Sequence, residues 1–314
     1  MKWSKNCAIG LIVLGVVAMI SLFGCASPLN TEGVRRITPR GEAWSHVIGI
    51  SWSPDGAELA LTWVMGGPDL RPEGYVYVID VEGRNPRILT HTRVDGEVAD
   101  PAWSPISNQI AFYSSGWDPG GIWLVDTGGE EAPRFLGEGK DCAWSPDGEE
   151  IAIANSKGGD YVIYILNTRT SERRRVFQLS EEGKYVLARG ISWLSTGDRL
   201  AFSFGLYSQD RSTPTIIDIY EMDLTSGESH LLAQGGQNEY PSWSPDGTMI
   251  AFSGGEWREQ TLVIMRVSDG SVIRPLNIVG IGPVAWSPNG NLIAFEWRGS
   301  VYAIDTTVAL AEWW

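Results

Sequence analysis

Cysteine and histidine are both scarce in this chain, which has only three of each among 314 residues. Cys7, Cys25 and Cys142 lie far apart, and no Cys-x-x-Cys pair suggests a zinc site or a redox centre. Nor is there a Gly-x-Ser-x-Gly elbow, a His-Glu-x-x-His helix or a phosphate loop. Gly139-Lys140-Asp141 lacks both the spaced glycine and the hydroxyl residue that such a loop requires. Basic charge is also short: 24 Lys and Arg stand against 38 Asp and Glu, a formal charge of −14. That balance argues against nucleic acid and against an anionic membrane surface as partners. No cofactor motif is present, and no cofactor or metal is expected.

What the chain has in quantity is tryptophan, 15 residues, and a phrase built on it. Trp-Ser-Pro-Asp-Gly begins at Trp52, Trp144 and Trp243, with an Asn-Gly variant at Trp286 and degraded copies at Trp103 and Trp193. Each copy leads into a short apolar run: Leu59-Ala60-Leu61, Ile110-Ala111-Phe112, Ile151-Ala152-Ile153, Leu200-Ala201-Phe202, Ile250-Ala251-Phe252 and Ile293-Ala294-Phe295. Steps of 51, 41, 49, 50 and 43 residues between tryptophans, filled by strand-turn-strand units, predict a propeller.

Ser-Pro-Asp-Gly places Pro at the second position of a type I turn and Gly where a left-handed backbone costs little. The expected product is a three-residue hairpin with a bulge, Trp on the entering strand and Ile-Ala-Phe on the leaving one. A third strand (Tyr75–Asp80 in the first unit) and a fourth (Arg87–Thr90) complete four strands per unit. The predicted fold is all-β: a six-bladed β-propeller of four-stranded antiparallel blades. The last unit runs short of chain near Asp305, and Val34–Pro39 is a strand without a blade. An N-terminal strand completing the last blade is the economical closure, and it leaves no open edge between the chain ends. Thr307–Trp314 is the competing candidate for that strand.

The first residues read as a targeting segment. Lys2 and Lys5 precede an apolar run from Cys7 to Ile20, followed by Leu22-Phe23-Gly24-Cys25. That tetrapeptide resembles a bacterial lipobox, which implies a lipoprotein signal peptide over 1–24 and acylation of Cys25. Residues 25–33 then form a lipidated tether, with the propeller over 34–314. Removing 1–24 deletes two lysines and no acid, leaving a net charge of −16. Cys142 would have no disulfide partner, so stability must come from packing.

Trp-Ser-Pro-Asp-Gly followed by Ile-Ala-Phe resembles the repeat of TolB-like propellers, the WD40-like β repeats of bacterial envelope proteins. The resemblance covers about residues 34–306. It implies an exported binding scaffold in the cell envelope, lipid-anchored outside the cytoplasmic membrane, on the outer membrane facing the periplasm or at the cell surface. The implied partner is an envelope protein or peptide, or a glycan. The family's namesake carries an α/β domain before its propeller, and only 26 residues separate Cys25 from Trp52 here. Similar repeats also occur in glycan lyases with histidine metal ligands at the channel mouth. A glycan lyase or hydrolase is therefore one alternative, and a sensory or accessory subunit binding a small ligand is another. A monomer is expected.

In a four-stranded blade the Trp-Ser-Pro-Asp-Gly turns lie on one face. The blade-to-blade connections and second-to-third loops lie on the other. Most length variation falls on this second face, where function tends to reside. Its candidate binding residues are Trp44, His91, Trp117, Arg189, Tyr207, Tyr240 and Trp257. Aromatics interleaved with charges are what a protein, peptide or glycan contact needs. Trp117 and Trp257, inside Gly-containing loops, are the two expected to be exposed, whereas Trp63 and Trp297 are expected to pack in the blades. His46 and His91 fall in neighbouring connections but are read as surface residues. Asp95, Glu97 and Asp100 are read as a solvated acidic loop, since their spacing matches no calcium loop.

Overall fold

The structure is a computed structural model and describes residues 33–39, 46–66, 72–90, 94–95, 97–128, 131–157, 159–208 and 216–313. Six antiparallel sheets follow one another along the chain, five of four strands and one with a short fifth. From the inside outward, blade one is His46–Trp52, Glu58–Gly66, Pro72–Asp80 and Arg87–Ile88, with Val94–Asp95 as the extra strand. Blade two is Val98–Trp103, Gln109–Ser114, Gly121–Asp126 and Arg134–Gly137. Blade three is Asp141–Trp144, Glu150–Lys157, Asp160–Asn167 and Arg173–Ser180. Blade four is Lys184–Trp193, Arg199–Ser208, Asp218–Asp223 and Ser229–Ala233. Blade five is Glu239–Trp243, Met249–Gly254, Thr261–Arg266 and Val272–Ile273. Blade six takes Ile281–Trp286, Leu292–Trp297 and Ser300–Asp305 from the C-terminal part of the chain, and its outer strand is Val34–Arg36.

That last pairing closes the ring. Val34 lies opposite Ile304, and Arg36 opposite Tyr302. Ile37 continues the ladder through its amide to the Val301 carbonyl at 2.8 Å, and the Val301 amide donates to Thr38 Oγ1 at 3.1 Å. The competing segment instead forms a short helix, Thr306–Ala309, and a 3₁₀ turn, Ala311–Trp313.

Alternation along the second strand explains the Ile-Ala-Phe pattern. Successive side chains point to opposite faces of a sheet, and here the two faces meet different neighbours. Leu59 and Leu61 pack toward blade six, while Ala60 packs toward blade two beside Trp103. The arrangement repeats: Trp52 meets Ala294, Trp144 meets Ala111, Trp193 meets Ala152, Trp243 meets Ala201 and Trp286 meets Ala251. Each alanine leaves the space that the next blade's indole fills. The described core is accordingly six clusters, one between each pair of adjacent blades.

Polar bonds link the inner strands as well. Where Ser precedes the repeat tryptophan, its hydroxyl accepts the main-chain N–H of the next blade's tryptophan. Trp103 donates to Ser51 at 2.9 Å, Trp243 to Ser192 at 3.4 Å and Trp286 to Ser242 at 2.9 Å. In two blades where Ala precedes it, that alanine's carbonyl takes the next indole N–H: Trp144 donates to Ala102, and Trp52 to Ala285, both at 3.0 Å.

The hairpin differs from expectation by one residue. The Gly56 amide donates to Ser53 O as in a type I turn, but the ladder closes between Ser53 and Glu58, so four residues intervene. Side chains account for the extra residue. Ser53 Oγ takes the Glu58 amide at 2.9 Å and donates to Asp55 Oδ1 at 2.7 Å, which also accepts from the Ala57 amide. Those two bonds hold the Asp55 carboxyl below its ordinary range. The same net recurs at Ser145–Asp147, Ser244–Asp246 and, with an amide, Ser287–Asn289.

Candidate functional site

The inner strands enclose an axial channel of about 380 Å³, lined from all six blades. Its two ends differ. At the turn end the lining residues are Pro54, Pro105, Pro146, Ser195, Pro245 and Pro288. At the other end they are the residues three before each repeat tryptophan: Gly49, Asp100, Asp141, Gly190, Tyr240 and Pro283.

A backbone irregularity sets this second ring apart. The ladder between first and second strands shifts register in blades one, two, four, five and six, a few residues before the repeat tryptophan. Blade three pairs without a break from Asp141 to Trp144. A bulge inserts an unpaired residue and re-aims its side chain. Asp100 and Tyr240 occupy such positions with φ of +48° and +57°, a left-handed conformation that Asp tolerates better than most residues. Their neighbours give way. A Cβ on Gly49 would lie 2.3 Å from Pro101 Cδ, and one on Gly190 2.9 Å from Tyr240 Cα.

Four polar residues from four consecutive blades meet at this end. Asp141 is 5% exposed and hydrogen-bonds the half-buried Asp100. Burial first, then the Asp141 charge, pushes the Asp100 carboxyl well up, and Asp100 is the donor. Burial also raises Asp141, against the hydrogen bond from Asp100 and the Arg189 charge. The two carboxyls therefore share a proton. Opposite them, Arg189 Nη1 donates to the Tyr240 hydroxyl at 3.3 Å, and Arg189 Nε lies 3.8 Å from Glu239 Oε1. Tyr240 chiefly, and Glu239 and Asp100 after it, hold Arg189 in its cationic form. Burial raises the Tyr240 phenol. The Cys142 thiol, donating to Asp100 O at 3.6 Å, is raised by burial and by both aspartates.

A further acid braces blade six. Glu296 is buried and accepts the Gly299 amide at 2.5 Å and the amide of Gly282, next to the bulge. Burial lifts its carboxyl to about 7 despite those bonds.

Among the described candidate binding residues, the structure brings Arg189 and Tyr240 together. Trp257 is 63% exposed on the second-to-third loop of blade five. Tyr207 is half-buried and stacks on Tyr185 at 5.6 Å on the long first hairpin of blade four. Trp117 departs from the expected exposure. It is half-buried, edge-on to Phe112 at 5.5 Å and to Trp123 at 4.8 Å, because its loop folds back over blade two. Trp63 is buried, and Trp297 is half-buried with its indole donating to Val279 O at 3.0 Å. Cys25, Trp44 and His91 lie outside the described residues, as do the side chains of His46 and Asp95.

Asp100 corrects the acidic-loop reading. It turns into the channel at a bulge instead of standing in solvent, while Glu97 stays exposed. Asp141 was not singled out. Its signal was available in the repeat, since both aspartates stand three residues before a repeat tryptophan.

The description TolB beta propeller domain matches residues 44–290 of the chain. Among curated proteins no match is found. TolB from Acinetobacter baumannii is 22% identical with a TM-score of 0.58, covering 80% of this chain and 64% of its own. This chain thus spans less than two thirds of that protein's length. A putative TolB from Agrobacterium tumefaciens is 25% identical with a TM-score of 0.52, covering 67% of this chain and 73% of its own. An oligogalacturonate lyase in complex with manganese shares the fold at 13% identity and a TM-score of 0.56, covering 87% of this chain and 92% of its own. With most of its length matched by that description and its six blades closed as the repeat predicts, the chain belongs to the TolB beta propeller domain family.

Proposed function

We propose that the protein is a binding module of the bacterial cell envelope that engages a protein or peptide partner at the polar end of its channel. The observation that carries this reading is the contrast between the two ends. One is a ring of turn prolines, and the other gathers Asp100, Asp141, Arg189 and Tyr240 from separate blades around an open cavity. Pockets of about 300–1,000 Å³ with a few convergent polar groups are where ligands bind. Exposed Trp257 extends the contact surface on blade five.

The placement in the envelope is proposed from the lipobox-like Leu22-Phe23-Gly24-Cys25 and from family membership. Among the described residues no helix is long and apolar enough to cross a membrane. Lipid on Cys25 is the proposed anchor. At roughly 0.8 kcal/mol per buried methylene, two or three acyl chains hold a protein stably. A tether over residues 25–33 keeps the propeller within about 25–30 Å of the bilayer.

The test immobilises the full chain in detergent and captures partners from envelope extract. It compares wild type with Arg189→Ala/Tyr240→Asn and, separately, Trp117→Ala/Trp257→Ala. Loss of the captured set in the first variant, with an unchanged melting curve, is the expected result. An identical set from wild type and both variants would remove the case for this end of the channel.

A further inference from the structure

Resting on the polar end being the binding end, we propose that Asp100 and Asp141 form a receptor for a primary ammonium group, from a lysine side chain or a peptide N-terminus inserted into the channel. The two carboxyls stand on adjacent blades, at the same position of the repeat, and share one proton across the channel wall. An enclosed acid pair is costly, and a well-packed apolar pair would serve the fold as well. Here the pair faces an open cavity of about 380 Å³, room for one or two residues.

A second observation points the same way. Thr62 is fully buried, and its hydroxyl has no partner among the described residues. It lies beside this corner of the channel end: Thr62 Oγ1 and the Asp100 amide nitrogen are both 2.9 Å from where a Cβ on Gly49, a lining residue, would stand. Tyr161, fully buried with an unpartnered hydroxyl, lies on the far side, within the field of Asp141. Buried polar atoms are ordinarily paired, and two orphans flank this pair.

The chemistry selects the cation. The carboxyls of blades two and three meet at one point, which suits the compact charge of an ammonium better than the flat fork of a guanidinium. A hard metal ion takes six to eight oxygen ligands, and no group of three His, Cys, Asp or Glu placed to hold one occurs among the described residues. The one nearby arginine among the described residues, Arg189, comes from the adjacent blade four, faces the pair, and is engaged by Tyr240 and Glu239.

Binding is then coupled to a proton. The entering ammonium keeps its own hydrogens, and the proton shared by Asp100 and Asp141 leaves to solvent, so affinity increases as pH rises. The other groups facing the pair are Arg189, Glu97, Tyr113, Cys142, Tyr240, Lys140 and Tyr161. Arg189 and Lys140 oppose the cation, and Glu97 favours it.

The test is titration calorimetry on the full chain in detergent with three probes. N-acetyl-lysine methylamide carries a side-chain ammonium, trialanine amide carries an α-ammonium, and acetylated trialanine amide carries neither. At least one of the first two should bind, and which one identifies the source; the third should not. Affinity should rise by up to about tenfold per pH unit while the pair still holds its proton. Heats in two buffers of different ionisation enthalpy should report close to one proton released. Asp100→Asn keeps a donor toward Asp141 and tolerates the left-handed backbone. It should retain the melting temperature while weakening the amine probes at least tenfold and abolishing proton release. Equal binding of the acetylated probe, no binding of either amine, or unaltered affinity in Asp100→Asn would overturn the proposal. Failure of the amines while Arg189→Ala/Tyr240→Asn still loses the envelope partner would sink the ammonium alone and leave the binding end standing.

Discussion

The two ends of the channel are built from the same six strands, yet one repeats and the other does not. At the turn end, five prolines and Ser195 occupy equivalent positions, and even the exception is accommodated: Ser195 Oγ donates to Pro245 O at 2.6 Å. Five residues earlier in each blade, the equivalent positions hold Gly, Asp, Asp, Gly, Tyr and Pro. The turn end must close a hairpin in every blade, and Ser-Pro-Asp-Gly does so with its own side chains. The opposite end only receives a connection from the previous blade, so its residues are free to differ. Sequence variety there marks where a single ligand, lacking sixfold symmetry, would be read.

That contrast breaks or sharpens under substitution. The largest expected effect is on the shared framework. Trp243→Ala removes an indole packed against Ala201 between blades four and five, and should cost about 3–5 kcal/mol in denaturant unfolding. A loss below about 1 kcal/mol would mean the repeat tryptophans are not the inter-blade core.

Glu296→Gln comes next. Burial raises the Glu296 carboxyl from an ordinary 4.5 to about 7. The folded state therefore holds a proton that the unfolded chain has released. Its contribution is greatest below pH 4.5 and declines as pH climbs to about 7. The variant should flatten this slope and gain up to about 3 kcal/mol above pH 7. An unchanged stability profile across that window would show Glu296 to be solvated.

Ser145→Ala, at the turn end, loses the hydroxyl that takes the Glu150 amide and donates to Asp147. About 1 kcal/mol is expected by thermal melting, with no effect on any ligand. Smallest is Tyr240→Asn, at the polar end. Asn accepts a positive φ, and the lost Arg189 bond is long, so stability should move by about 0.5 kcal/mol or less. A cost like that of Trp243→Ala would make Tyr240 a structural residue and erase the distinction between the ends.

Much of the framework is legible in the sequence. Trp-Ser-Pro-Asp-Gly and Ile-Ala-Phe are short-range signals, and the blade count, the strand order and the closure by Val34–Arg36 all follow from them. The hairpin length was not, because Ser53 substitutes its hydroxyl for a backbone acceptor. Trp117 was misplaced because glycines around an aromatic suggest exposure, whereas Phe112 and Trp123 offered ring edges nearby. Asp100 was misplaced because counting acids in a loop takes no account of a bulge.

By itself the sequence determined how many blades there are and how each is folded, because turn chemistry and strand alternation act within one repeat of about fifty residues. Only the tertiary structure decided which side chains meet at the channel's polar end. Asp100 and Asp141, or Arg189 and Tyr240, are brought together by the turning of the ring from one blade to the next. A one-residue bulge, invisible in the alternation pattern, turns Asp100 and Tyr240 inward.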